Sequence, residues 1–121
     1  MAQILNFSNL VLGDTVPFLL DQVVDLEGNT VRALNTYTVF FALKRTPLES
    51  DANGLANFAS PANITISADR ATWEVPAATT ANMKAGRPYY YDVQLKDSDA
   101  RIFTVQTGVL TFSDQVVIRT S

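Results

Sequence analysis

The run Tyr89-Tyr90-Tyr91-Asp92-Val93-Gln94-Leu95-Lys96 decides the fold class, because its apolar residues recur at every second position. A strand projects successive side chains to opposite faces, so Tyr89, Tyr91, Val93 and Leu95 share one face, and Tyr90, Asp92, Gln94 and Lys96 share the other. The same period governs the most apolar stretch, Tyr37-Thr38-Val39-Phe40-Phe41-Ala42-Leu43-Lys44. There Tyr37, Val39, Phe41 and Leu43 lie together, and Phe40 and Ala42 face away with Thr38 and Lys44. This stretch reads as a central strand.

Toward the amino end, residues 16–24 read as a strand in which Pro17 requires a strand start or an edge. Ile4, Asn6, Phe7 and residues 10–12 read as a first strand, ended by Gly13-Asp14. Residues 30–33 resume an extended path after the turn Leu26-Glu27-Gly28-Asn29. Residues 47–61 mix Pro, Ser, Asp, Asn and Gly without a sustained period and read as the longest and most mobile loop. Residues 64–67 and 71–75 form a predicted hairpin about Ala68-Asp69-Arg70. One short helical turn is expected near residues 77–84, with Pro76 before it, Thr79 and Thr80 as caps and Gly86 after it. Residues 101–107 and 109–112 read as extended with Gly108 as a bulge, and residues 116–118 as a last strand. About seven to nine short strands with regular turns predict an all-β, immunoglobulin-like antiparallel β-sandwich. Both ends read as structured, so residues 1–121 are expected to be one whole domain, without the Cys-Trp-Cys pattern of antibody domains.

Composition narrows the function classes. The 121 residues are 47% hydrophobic and only 17% charged, which favours a chain with much of its surface covered. A net charge of −3 gives no excess of cations for a run of phosphates, so nucleic acid is not an expected partner. With no His and no Cys, a Cys or His zinc site, a disulfide, a Cys nucleophile and a His general base are excluded. The opening lacks a basic, apolar secretory leader, and no stretch approaches a membrane span, so a soluble chain made in a cytoplasm is expected.

Few residues are arranged for chemistry. Asp97 and Asp99, with Asp92 upstream, could share a calcium ion, but Asp in a hairpin turn ordinarily bonds nearby backbone amides. The same pair is a weak candidate for carboxylate catalysis, because nothing encodes a cleft. Lys44-Arg45 and Arg101 read as solvated strand ends, and the serines sit in turn-like contexts without a nucleophile-elbow motif. Trp73 is a core ring or, less readily, a carbohydrate-stacking platform together with Tyr89, Tyr90 and Tyr91. An outward Tyr90 is either a partner anchor or a cover for a sheet edge. The apolar amino end, residues 1–12, is either an ordinary first strand or an arm that adds to a neighbour's open sheet edge. The expected interface residues are Ile4, Leu5, Phe7 and Leu10 of that segment, Tyr90, and Leu48, Leu55 and Phe58 of the long loop.

The order of motifs resembles small immunoglobulin-like virion proteins of tailed bacteriophages, including the amino-terminal domain of upper baseplate proteins. The resemblance runs through Gly86-Arg87-Pro88-Tyr89-Tyr90-Tyr91-Asp92-Val93-Gln94-Leu95-Lys96-Asp97, residues 102–105 and Gly108-Val109-Leu110. In the first half it runs through Gly13-Asp14-Thr15, Phe18-Leu19-Leu20, Asp25-Leu26-Glu27-Gly28 and Phe40-Phe41-Ala42-Leu43-Lys44. The family has Gly where this chain has Ala100. The resemblance implies no catalytic or cofactor-binding residue. It implies a virion structural subunit of neck, baseplate, fibre attachment or capsid surface, made in a bacterial host's cytoplasm. The expected partners are other virion proteins or further copies in a symmetric assembly, with no membrane and no small-molecule substrate. A carbohydrate- or receptor-binding sandwich is the alternative.

Overall fold

The computed structural model describes residues 3–114, and the strand expected at residues 116–118 lies outside them. In chain order the described residues form β1 (Gln3–Ile4), β2 (Phe7–Val11), β3 (Val16–Leu20), β4 (Thr38–Lys44), β5 (Ala56–Ala59), β6 (Thr65–Ser67), β7 (Arg70–Val75), the single-turn helix α1 (Ala77–Thr80), β8 (Pro88–Lys96) and β9 (Ile102–Ser113). The larger sheet has the order β1-β9-β8-β4-β5, with β2 also on β9, and the smaller sheet has the order β3-β7-β6. The two sheets make a β-sandwich. All strand pairs are antiparallel except those of β1 and β2, which run parallel to β9.

The period-two pattern places the core. Tyr89, Tyr91, Val93 and Leu95 point inward from β8, and Val39, Phe41 and Leu43 do so from β4. From the smaller sheet, Val16, Phe18 and Leu20 meet Ala71, Trp73 and Val75 in register. Phe18 is the hub of the aromatic cluster. Its ring stacks on Trp73 at 5.6 Å between centroids and lies 4.9 Å from Phe41, 5.3 Å from Tyr91 and 5.5 Å from Phe7. Such ring pairs add about 0.5–1.5 kcal/mol each beyond the area they bury. Trp73 is thus a core residue, and its buried Nε1–H has no hydrogen-bond partner among the described residues.

Several expectations need correction. The stretch 47–61 contains β5, which pairs Ala56 to Ala59 with Leu43 to Phe40. Its small residues and Asn57 hide the period because β5 is an edge strand, and Phe58 reaches across to stack on Phe41 at 5.8 Å. The strand expected over 16–24 ends at Leu20, since Gln22 adopts φ +52° and turns the chain out of the sheet. Residues 30–33 keep only an isolated bridge, Val24 to Thr30, before a 3-10 turn at Leu34–Thr36. The bulge on β9 lies at Val105, where pairing steps from Val93–Gln106 to Gln94–Thr104, not at Gly108. The helical turn is shorter than expected, Ala77–Thr80.

Turn chemistry locks the ends of the sandwich. Pro88 opens β8, and the hydroxyl of the next residue, Tyr89, accepts the Lys84 N–H at 2.7 Å, a tyrosine corner that ties the end of the α1 turn to the strand. Thr80 is fully buried; its hydroxyl donates to the Asp14 carbonyl at 2.7 Å and accepts the Gly13 N–H at 3.1 Å. It ties α1 to the turn between β2 and β3. Ala100 stands at φ +62°, a left-handed conformation that Gly adopts without strain, at a cost of roughly 1 kcal/mol for a residue with a Cβ. Tyr89→Phe leaves the Lys84 amide without its partner and is expected to lower stability by about 1–3 kcal/mol. Urea unfolding midpoints of the two proteins measure this directly.

Candidate interface at the amino-terminal strand

The site is built around an inward-facing exception on β9. Gln106, Gly108, Leu110 and Phe112 face the core from this strand, and of the four one ends in a polar amide and one has no side chain. Gly108 lies opposite Tyr91, and a Cβ there would be driven into the Leu5 backbone and the edge of the Tyr91 ring. The missing side chain is what lets the amino-terminal segment come down onto β9. Leu5 occupies that space between β1 and β2, and its N–H donates to the Thr107 carbonyl at 2.9 Å. Its carbonyl accepts the Tyr91 hydroxyl at 2.6 Å, and the same hydroxyl accepts the buried Gln106 Nε2–H at 2.9 Å.

The chain shifts register between Phe7 and Leu10, where Asn9 takes φ +63°. At the break between β1 and β2, Asn6 Oδ1 replaces a ladder carbonyl by accepting the Val109 N–H at 3.0 Å. Phe7 then packs on Phe18 and Tyr91, and Leu10 packs against the core. Burial pushes the Tyr91 hydroxyl above its usual range, while the Gln106 hydrogen bond pulls the other way. The hydroxyl therefore stays protonated as the donor to Leu5 throughout the neutral range.

The eight expected interface residues divide between two settings. Phe7, Leu10, Leu55 and Phe58 are half-buried and pack on the core. Ile4 is 72% exposed, Leu48 is 97% exposed and Leu5 is partly exposed. Tyr90 and Ile4 line one shallow groove of about 400 Å³ on the outer face of the larger sheet, together with Asn6, Pro47 and Asp92. Lys44 also lines it, 3.9 Å from the Asp92 carboxylate. In this chain the amino segment completes its own sheet. Tyr89 and Tyr91 are buried, so of the aromatic platform weighed from sequence only Tyr90 reaches the surface. The sequence reading missed Gln106 and Asn6 and misread Gly108; a Gln and a Gly at inward positions of an apolar strand are the signal that finds them.

Asp97 and Asp99 are used by their own turn. Asp97 Oδ1 accepts the N–H groups of Asp99 and Arg101, each at 2.9 Å, and Oδ2 meets Arg101 Nε at 2.7 Å. Arg101 also reaches Glu27 at 3.3 Å, joining this turn to the loop before β4. Burial by itself would raise the Asp97 carboxyl, but the hydrogen bonds from Arg101 and Asp99 outweigh it and hold the group below the usual carboxylate range.

A group whose folded pKa is depressed stabilises the fold above its unfolded value, about 3.9 for Asp, and loses that contribution as pH falls through the folded value. Asp97→Asn is therefore expected to lower the unfolding midpoint at pH 7, with the gap to the parent closing in strong acid. At the amino segment, Tyr91→Phe strands the Leu5 carbonyl and Gln106 amide and is expected to lower stability by about 1–3 kcal/mol. Gly108→Ala overpacks the same place at a similar cost of about 1–3 kcal/mol or more. In both variants hydrogen exchange should quicken first at Leu5 and Leu12, whose amides bond to β9. No protein-family model matches the chain, and no curated protein matches it.

Proposed function

We propose that this chain is a non-enzymatic structural protein of a bacteriophage virion, an assembly or adaptor subunit in the neck, baseplate, fibre attachment or capsid surface. The observation that carries the reading is apolar surface gathered where the amino-terminal strand borders the larger sheet. Ile4 and Leu5 are exposed there, and the neighbouring loop after β4 presents Leu48 almost wholly to solvent. Removing such side chains from water contributes roughly 25 cal/mol per Å², so a partner surface is the favoured resting place for them. The resemblance to immunoglobulin-like virion proteins supplies the particle, and the low charge suits a part that is covered on several sides. Its partners are other virion proteins and further copies of itself.

A second reading, a carbohydrate- or receptor-binding module, rests on Tyr90 in its groove beside Asn6 and Asp92. A half-buried outward ring flanked by polar groups is the minimal sugar platform, but one ring stacks a single residue of a glycan.

Mass spectrometry of particles purified from the phage whose genome encodes the chain tests the first reading. The protein is expected in a fixed ratio to the other structural proteins, and absence from intact particles would overturn the assignment. Glycan-array binding that Tyr90→Ala abolishes would favour the second reading instead.

A further inference from the structure

The geometry points to β1 and β2 as an exchangeable strand, which a second copy of this chain can lay onto β9 in place of the chain's own. The inference rests on the assembly reading and names its mode of self-association. Apart from the Val11 carbonyl, which the turn residue Asp14 meets, the hydrogen bonds that hold the segment go to β9 or to its neighbour Tyr91, and Phe7 and Leu10 pack on the core. Leu5 N–H bonds Thr107, Leu12 N–H bonds Ser113, Asn6 takes the Val109 amide, and Tyr91 takes the Leu5 carbonyl. Every one of these groups is met equally well by an identical segment arriving from another molecule, so exchange sacrifices none of them. The place on β9 is specific, because Gly108 admits a backbone carbonyl and Gln106 orients the Tyr91 hydroxyl toward it.

The hinge is equally defined. Gly13 stands at φ +85° between β2 and β3, and Asp14 N–H closes the turn on the Val11 carbonyl at 3.2 Å. Thr80 clamps this turn through Gly13 and Asp14. Opening the hinge loses those few bonds and no core side chain of the smaller sheet. An exchanged segment takes the same place on the other copy's β9, with Ile4 opposite Thr107 as it is within one chain.

The chain has no Cys, so introduced thiols report without background. Ile4 and Thr107 are register partners across β1 and β9. One preparation carries Ile4→Cys and another Thr107→Cys; they are mixed, incubated, oxidised and separated without reductant. Thr104→Cys, outward-facing but farther back on β9, controls for random collision, and the double variant Ile4→Cys/Thr107→Cys checks that the pair closes. The expected result is a cross-linked heterodimer several-fold above the Thr104 control. Closure within the double variant with no excess heterodimer in the mixture would overturn the inference.

Light scattering on Thr80→Val, which releases the hinge clamp while keeping the side chain's shape, gives the independent reading. A several-fold rise in dimer over the parent supports exchange, and an unchanged monomer counts against it. Failure of exchange leaves the virion assignment standing, because particle composition tests that separately.

Discussion

One missing side chain on β9 governs how this sandwich closes. At Gly108 the strand lacks a Cβ, and the Leu5 backbone comes close enough for its carbonyl to meet the Tyr91 hydroxyl. Close approach there sets the path of the whole amino segment. It lets Phe7 reach Phe18 and Tyr91, so the aromatic cluster that binds the two sheets also holds the first strand. Gln106, a buried amide in an apolar core, is tolerated because Tyr91 satisfies it. A polar trio in a small core imposes a single register on a strand that hydrophobic contact alone would allow to slide.

The legible part of the fold is the part with a strict period. In β4 and β8, alternation grouped Val39, Phe41 and Leu43 on one face and Tyr89, Tyr91, Val93 and Leu95 on another, and the structure buries all seven. Turns signalled by Gly and Asp were equally readable, as at Gly13-Asp14 and Asp97 to Ala100. Edge β5 was not, because Ala56-Asn57-Phe58-Ala59 is too short and too mixed to show a period, and its pairing with β4 is a tertiary effect. The parallel course of β1 and β2 along β9 was also hidden, since partner choice between distant segments leaves no trace in local spacing. For the site, residue types were readable but roles were not: Gly108 was seen, yet only the opposing Leu5 backbone explains it.

The two functional readings draw on different consequences of the same burial. Sinking Trp73, Tyr89 and Tyr91 into the core strengthens the sandwich and leaves Tyr90 as the lone outward ring of the set. An assembly part gains from that arrangement, since its binding surface is an edge and a flat face. Backbone groups along such an edge recognise another strand without needing a pocket, which suits a small subunit repeated around a particle. The ion cluster of Glu27, Asp97 and Arg101 braces the end of the sandwich where the loop before β4 meets the turn between β8 and β9.

The central claim is that the amino-terminal strand is seated on β9 through the space at Gly108. Nuclear Overhauser contacts in the isotopically labelled protein test it most directly. The account predicts cross-peaks from Leu5 and Asn6 to Gly108 and Val109 and to the Tyr91 ring, with a slowly exchanging Leu5 amide. Random-coil shifts for residues 3–11, with no contacts to β9, would contradict it.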